Sequence, residues 1–404
     1  MPNILLILRY NNFVTTVYRM ESAFPYNKYV TGKQNLGRSA ETKAFYNLLS
    51  QGENIVIYEP PKTGKNSLVQ QGFYQMRLAG ERFVAVQLSL LDIRTLEDFA
   101  LRLASTVLLS AGETPEDYAR VAQELLGGTH LVFDASRYRM HGEVLSPTWQ
   151  LDDEDLRAAF LLPYRLGAAS GLRRIVVINE FQNIMLTEDG DRACRLLEEV
   201  FKTLPPEQLK NASYVFLGSR VNAMHEIFGV KRWFYRHVER IRLTPIDTKE
   251  IIEHVTKGFL TSGKVIDRNL LLGACKLFQD NIWYINHFCA ICDSLSRGYI
   301  MEQTLHEALA SLLAIHEPRF TATMADLTTF QVSLLRAILD GYTRFSSVEV
   351  IRKYALNSSA NVRRLKDALC KKEIITFDDN DDPVILDPLF EYWVRKYYFN
   401  MSFE

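Results

Sequence analysis

The hydrophobic positions of the chain fall into short apolar runs separated by longer amphipathic stretches. Asn54-Ile-Val-Ile-Tyr58 is a run that ends at a Pro/Gly-rich turn, Glu59 to Gly64, after which a helical pattern begins at Lys65. Residues 83–88, 175–178 and 212–217 form further apolar runs, and 240–243 a shorter one of edge type. Short runs alternating with helical stretches predict a parallel sheet wrapped by helices, an α/β fold. The stretch 89–173 is longer than one crossover helix needs, and its amphipathic segments 95–109 and 115–126 predict a helical insertion at about 110–170.

Pro245 marks a change in character. From Thr248 the pattern is helical throughout, which predicts a helical lid over 247–325. From Asp326 three short helices are expected at 330–339, 347–354 and 359–371, with Ser358 or Ser359 capping the third. Two apolar runs, 374–377 and 383–386, then flank the acidic turn Asp378 to Asp382. Three helices and a hairpin predict a winged helix over 326–404. Residues 1–19 read as an extension outside the domain, with Met20 as the expected natural start and the α/β domain spanning 20–246.

Composition adds little. The 404 residues are 47% hydrophobic and 24% charged, with a formal net charge of -1, so nothing in the balance calls for nucleic acid or an anionic membrane. No segment has the ~18 apolar residues of a membrane span. Five cysteines are scattered, and Cys289-Ala-Ile-Cys292 lacks the second pair of ligands that zinc needs. Buried thiols in a reducing cytoplasm are expected.

The candidate chemistry lies at the ends of two runs. Glu59-Pro60-Pro61-Lys62-Thr63-Gly64-Lys65-Asn66-Ser67 sits between an apolar run and a helix, as a phosphate-binding loop must. Such a loop needs inward backbone N–H groups, a glycine for close approach, a lysine for the β/γ-phosphates and a hydroxyl for Mg²⁺. Gly64 and Lys65 fit. Glu59 replaces the first glycine and Asn66 the metal-binding hydroxyl, with Ser67 adjacent but about 100° away around a helix. The second end is Ile175-Val-Val-Ile178-Asn179-Glu180, a Walker B arrangement in which Asn179 replaces the usual aspartate and Glu180 is kept to polarise water. A neutral amide oxygen holds a hard divalent ion less firmly than a carboxylate does.

With those residues in view, the chain resembles the archaeal-type ATPases of the STAND branch of AAA+ P-loop proteins. Leu36-Gly37-Arg38 resembles the family's motif ahead of the P-loop, with Ser39 departing from it. Pro60, Gly64, Lys65, Ser67 and Leu68 match the loop, and Glu180, Phe181 and Gln182 match its Walker B. Phe216-Leu-Gly-Ser219-Arg220 is similar to the sensor strand, and Leu243-Thr244-Pro245 to the segment before the lid. Asp387-Pro-Leu-Phe390 and Trp393 match the winged-helix ending. The resemblance implies ATP or ADP bound between sheet and lid, with weakly held Mg²⁺ at Asn66 and Asn179. It further implies that residues 60–67, Leu36, Gly37, Arg38, Ser219 and Pro245 line the nucleotide, and that Glu180 and Arg236 are the catalytic candidates.

Three functions fit this reading. The first is a nucleotide-dependent switch with slow or lost hydrolysis. The second is a pseudo-ATPase scaffold that engages a protein partner through the winged helix or the insertion. The third is a DNA-binding regulator using Asn361, Arg363, Arg364 and Lys366 with Lys371 and Lys372. The acidic wing works against DNA, as does the balance of 11 lysines and arginines against 12 aspartates and glutamates over 326–404. Oligomeric state stays open.

Overall fold

The computed structural model describes residues 6–10, 13–17, 23–141 and 143–401. Met20, the expected start, lies outside them. Leu6–Tyr10 and Phe13–Val17 pair as an antiparallel hairpin.

A five-stranded parallel sheet forms the centre of the larger unit: β1 (Ile55–Tyr58), β2 (Phe83–Ser89), β3 (Arg173–Asn179), β4 (Ala212–Gly218) and β5 (Glu239–Arg240), in the spatial order β5-β1-β4-β3-β2. The edge strand, expected at 240–243, is shorter and shifted upstream. Alternation along the central strands sorts the core. Ile55, Ile57, Ile175, Val177, Val215 and Leu217 face the helices Ser39–Gln51 and Lys65–Leu78, against Phe45, Leu49, Leu68 and Phe73. Val56, Tyr58, Val176, Ile178, Tyr214 and Phe216 face the other side, where Phe99, Phe160 and Phe201 pack. Apolar residues on both faces are what a sheet covered by helices requires.

The predicted insertion is less uniform than expected. Leu131–Phe133 and Leu145–Pro147 form an antiparallel ribbon inside it. The helix Asp153–Ser170 belongs to the core: Phe160 is fully buried, and its carbonyl accepts a 2.8 Å hydrogen bond from the Tyr214 hydroxyl. Three-residue strands are too short to register as alternation in the sequence.

The winged helix belongs to the same compact unit as the sheet, which comprises Tyr29–Ile246 and Arg319–Glu404. It contains the helices Thr329–Leu339, Val348–Lys353 and Ser359–Lys371, then the strands Ile375–Phe377 and Pro383–Ile385. Ser358 caps the third helix by accepting from the Asn361 N–H.

The second unit comprises Met1–Lys28 and Asp247–Pro318. Its helices include Thr248–Thr261, Arg268–Leu277 and Ile282–Leu295. A two-residue parallel pairing, Val265–Ile266 with Tyr299–Ile300, interrupts the all-helical pattern expected there. Phe24 packs on Phe259 at 4.5 Å, and the carbonyls of Pro25 and Tyr26 accept from Asn286 and Trp283. Residues 23–28 therefore fold with the helical unit, not with the sheet. Cys289 and Cys292 are buried thiols whose ionisation burial pushes up strongly; Cys370 is half-buried. No described helix is long and apolar enough to cross a membrane.

Candidate phosphate-binding site

Strand register brings the candidate motifs to one edge. Tyr58 pairs with Gly218, and Asn179 with Leu217, so β1, β3 and β4 end side by side. Glu59 and the loop succeed β1, Glu180 succeeds β3, and Ser219 succeeds β4. Crevices at the carboxyl ends of parallel strands are where open α/β sheets place ligands.

The loop turns through Lys62 at φ +68° and Gly64 at φ +93° before the helix Lys65–Leu78 begins. Gly64 is where glycine is needed: left-handed backbone costs other residues energy, although a β-carbon here would meet no atom within 4 Å. Lys65 is buried, and its Nζ donates to the carbonyls of Glu59 and Pro60, each at 2.8 Å. Burial pushes its ammonium down to about 8, against the pull of the Glu180 and Glu59 carboxylates. Lys62 is also brought to about 8 by burial, with Arg319 and Asp387 of the winged-helix region beside it. The Thr63 hydroxyl donates to the Pro60 carbonyl and so stiffens the loop.

Glu180 is held in left-handed backbone at φ +53°, a strained conformation for a non-glycine residue. Phe181 anchors it. That ring is buried and packs on Phe216 at 4.6 Å and Phe228 at 5.6 Å. One carboxylate oxygen of Glu180 accepts from Ser219 Oγ at 2.5 Å and from Gln182 Nε2 at 2.6 Å. Glu180, Gln182 and Ser219 thus meet as a single constellation.

The positions replaced in the sequence behave differently from one another. Asn179 Nδ2 donates to the Leu88 carbonyl at 3.3 Å, which ties β3 to β2. Asn66 is half-buried at the first turn of its helix. Ser67 Oγ accepts from the Val30 N–H, and Gln71 Oε1 from the Gly32 N–H, so this helix face holds residues 30–32 at the start of the sheet unit. Glu59 is no simple defect: its carboxylate accepts from the Leu243 N–H at 3.2 Å, while burial pushes its pKa up.

Leu36, Gly37, Arg38 and Pro245 are brought together with one another. Arg38 pairs with Glu41 and donates to the Thr244 carbonyl. A β-carbon on Gly37, which sits at φ +64°, would meet Ile246 Cγ2 at 2.5 Å. Glu41, which sequence reasoning passed over, accepts from Thr244 N at 3.1 Å and Thr244 Oγ1 at 2.7 Å. Burial opposes its ionisation, but those bonds and the Arg38 charge hold its carboxyl below the usual range. An isolated glutamate in an amphipathic helix gives no signal of this. Arg236 is exposed at φ +66°, with its guanidinium 5.3 Å from the Tyr235 ring centroid. Arg240 instead lies 3.7 Å from the Tyr58 ring centroid, at the end of β1.

The acidic wing has partners inside the chain. Asp379 pairs with Arg242 at 3.0 Å and Asp381 with Lys366 at 3.5 Å. Arg363 and Arg364 are exposed.

The site's residues fit a phosphate ligand through Gly64, Lys65 and the loop backbone. They fit a divalent ion less well, because two amides stand where a hydroxyl and a carboxylate are usual.

Comparison with known proteins agrees with this architecture. A family model described as "Probable winged helix domain" matches residues 318–396. No curated protein matches the sequence. The Walker-type ATPase paby2304 of Pyrococcus abyssi is similar in structure, with a TM-score of 0.65 at 16% identity, over 92% of this chain and 99% of that one. The Aeropyrum pernix ORC2 protein, solved in ADPNP–ADP complexes, is similar at a TM-score of 0.50 and 13% identity, over 91% and 93%. Identities this low establish a shared fold: a parallel-sheet α/β core of the AAA+ ATPase kind with a C-terminal winged helix.

Proposed function

We propose that this chain is a nucleotide-dependent switch of the STAND type, binding ATP or ADP at the loop 60–67 and hydrolysing it slowly or not at all. The observation that carries this reading is the buried Lys65 ammonium at a left-handed Gly64 turn, beside a Glu180 already oriented by Ser219. In this scheme the loop amides and Lys65 hold the β/γ-phosphates, and Ser219 senses the γ-phosphate. Glu180 polarises water, and Asn66 with Asn179 give Mg²⁺ a neutral, weak attachment. When bound, the ion would neutralise charge on the phosphates. Firm phosphate binding with weak metal attachment suits a protein that responds to nucleotide more than one that turns it over.

The structural relatives, a Walker-type ATPase and an ORC2 protein with ADPNP and ADP, support a nucleotide ligand. Lys366, one of the candidate DNA contacts, is paired with Asp381, and the wing's carboxylates are exposed, which favours a protein partner over DNA. The test is the nucleotide content of protein purified without added nucleotide, together with calorimetry on Lys65→Ala. The variant should keep its fold and lose ADP binding; equal affinity before and after would refute the site.

A further inference from the structure

The helix Val221–Phe228 begins two residues after Ser219, and its first N–H groups are not left to solvent. Glu373, from the turn after the third winged-helix helix, takes two of them. Its Oε2 accepts from Asn222 N at 3.2 Å and its Oε1 from Ala223 N at 3.0 Å. The Asn222 side chain is equally engaged. Its Nδ2 donates to the carbonyls of Cys370 at 3.0 Å and Ile375 at 2.8 Å, and to Glu373 Oε2 at 3.2 Å. Thr376 Oγ1 donates to its Oδ1 at 3.0 Å. Arg220 Nη2 reaches the Lys371 carbonyl at 3.3 Å.

The backbone of Glu373 adds a second observation. It occupies a left-handed position, φ +54°, just past a helix end, where glycine is the favoured residue. A glutamate there carries backbone strain, and the contacts of its side chain offset it. The carboxylate also complements the positive end of the helix it caps.

Granted the nucleotide site proposed above, we infer that Glu373 is a positioning residue through which the winged helix sets the γ-phosphate response. It pins the start of Val221–Phe228, the pinned backbone fixes Ser219 at the end of β4, and Ser219 Oγ fixes Glu180. Both groups are where an ATP-containing site differs from an ADP-containing one. Losing the pin therefore weakens recognition of the third phosphate and leaves the P-loop contacts to the first two intact.

Calorimetry with ADP and with the non-hydrolysable analogue AMPPNP tests this on the full chain, comparing the natural protein with Glu373→Ala and Glu373→Gln. ADP affinity should stay within about twofold, while AMPPNP affinity falls about fivefold or more in Glu373→Ala. Glu373→Gln should be intermediate, since its single carbonyl oxygen can accept from one of the two amides. Amide hydrogen exchange at Asn222 and Ala223, measured without nucleotide, reports the pin itself and should accelerate in both variants. Equal losses for both nucleotides, or no loss for either, overturn the inference even where exchange accelerates, because Glu373 is then only a helix cap. A natural chain that binds neither nucleotide refutes the site itself, and Glu373 loses its role with it.

Discussion

If Lys65 supplies the phosphate-binding ammonium, nucleotide affinity should fall as pH rises through about 8. An exposed lysine keeps its proton to about pH 10.4 and would give no slope below that. Burial at the base of the loop brings Lys65 to about 8, so roughly nine-tenths of the free protein has lost this proton by pH 9. If the ammonium supplies the contact, affinity for ADP drops close to tenfold between pH 7 and 9, or about 1.4 kcal/mol. Phosphate titration, near pH 6, lies outside that window. The opposite sign is expected for this group's contribution to the stability of the nucleotide-free fold. Between about 8 and 10.4 the unfolded chain holds the extra proton, so that contribution rises with pH while affinity falls. Calorimetric titration of ADP from pH 7 to 9.5 is the assay, with Lys65→Ala and Lys62→Met as controls. Lys62 also titrates near 8, but it lies beside Arg319 and Asp387. Lys65→Ala should show no measurable ADP binding at any pH, and the slope should persist in Lys62→Met. A flat profile in the natural protein, or a slope that disappears in Lys62→Met, would sink the assignment.

Restoring the metal ligands with Asn66→Thr and Asn179→Asp should raise phosphate release in a Mg²⁺ titration, each tenfold gain corresponding to about 1.4 kcal/mol of barrier. An unchanged rate with nucleotide bound would place the limitation elsewhere. Glu41→Ala leaves the Thr244 N–H and hydroxyl without their acceptor, removes the ion pair to Arg38, and should cost about 2–3 kcal/mol in denaturant unfolding, whereas an exposed glutamate would cost almost nothing. Duplex DNA should bind no better than a neutral control at near-physiological salt. A sequence-specific complex at nanomolar protein, lost on changing Arg363 and Arg364, would reverse that expectation.

The sheet is readable in the sequence because each core strand is an apolar run whose alternate residues serve two buried faces, and Ile55, Val56 and Ile57 announce both at once. The loop is readable because Gly64 and Lys65 must come after a strand and before a helix. The winged helix can be read almost to the residue, its caps and acidic turn being local signals. Contacts that span the chain are not readable. Nothing near Glu373 marks Asn222 as its partner, and nothing near Glu59 marks the Leu243 N–H. Glu59 looks like a lost glycine in one dimension and is a hydrogen-bond acceptor in three. Residues 23–28 read as part of the sheet domain for a similar reason, since the burial of Phe24 depends on Phe259.

The shared unit of sheet and winged helix bears on how the chain can be cut. The order of segments invites a minimal fragment ending near Ile246, where the last core strand is complete. Such a fragment would strip the Asn222 side chain of four hydrogen bonds, Arg242 of its carboxylate and the start of Val221–Phe228 of its acceptor. Its shortest stable form should instead carry residues 319–404 as well, joined by whatever spacer replaces the helical unit. For this protein, modularity along the gene and independence in solution are different properties.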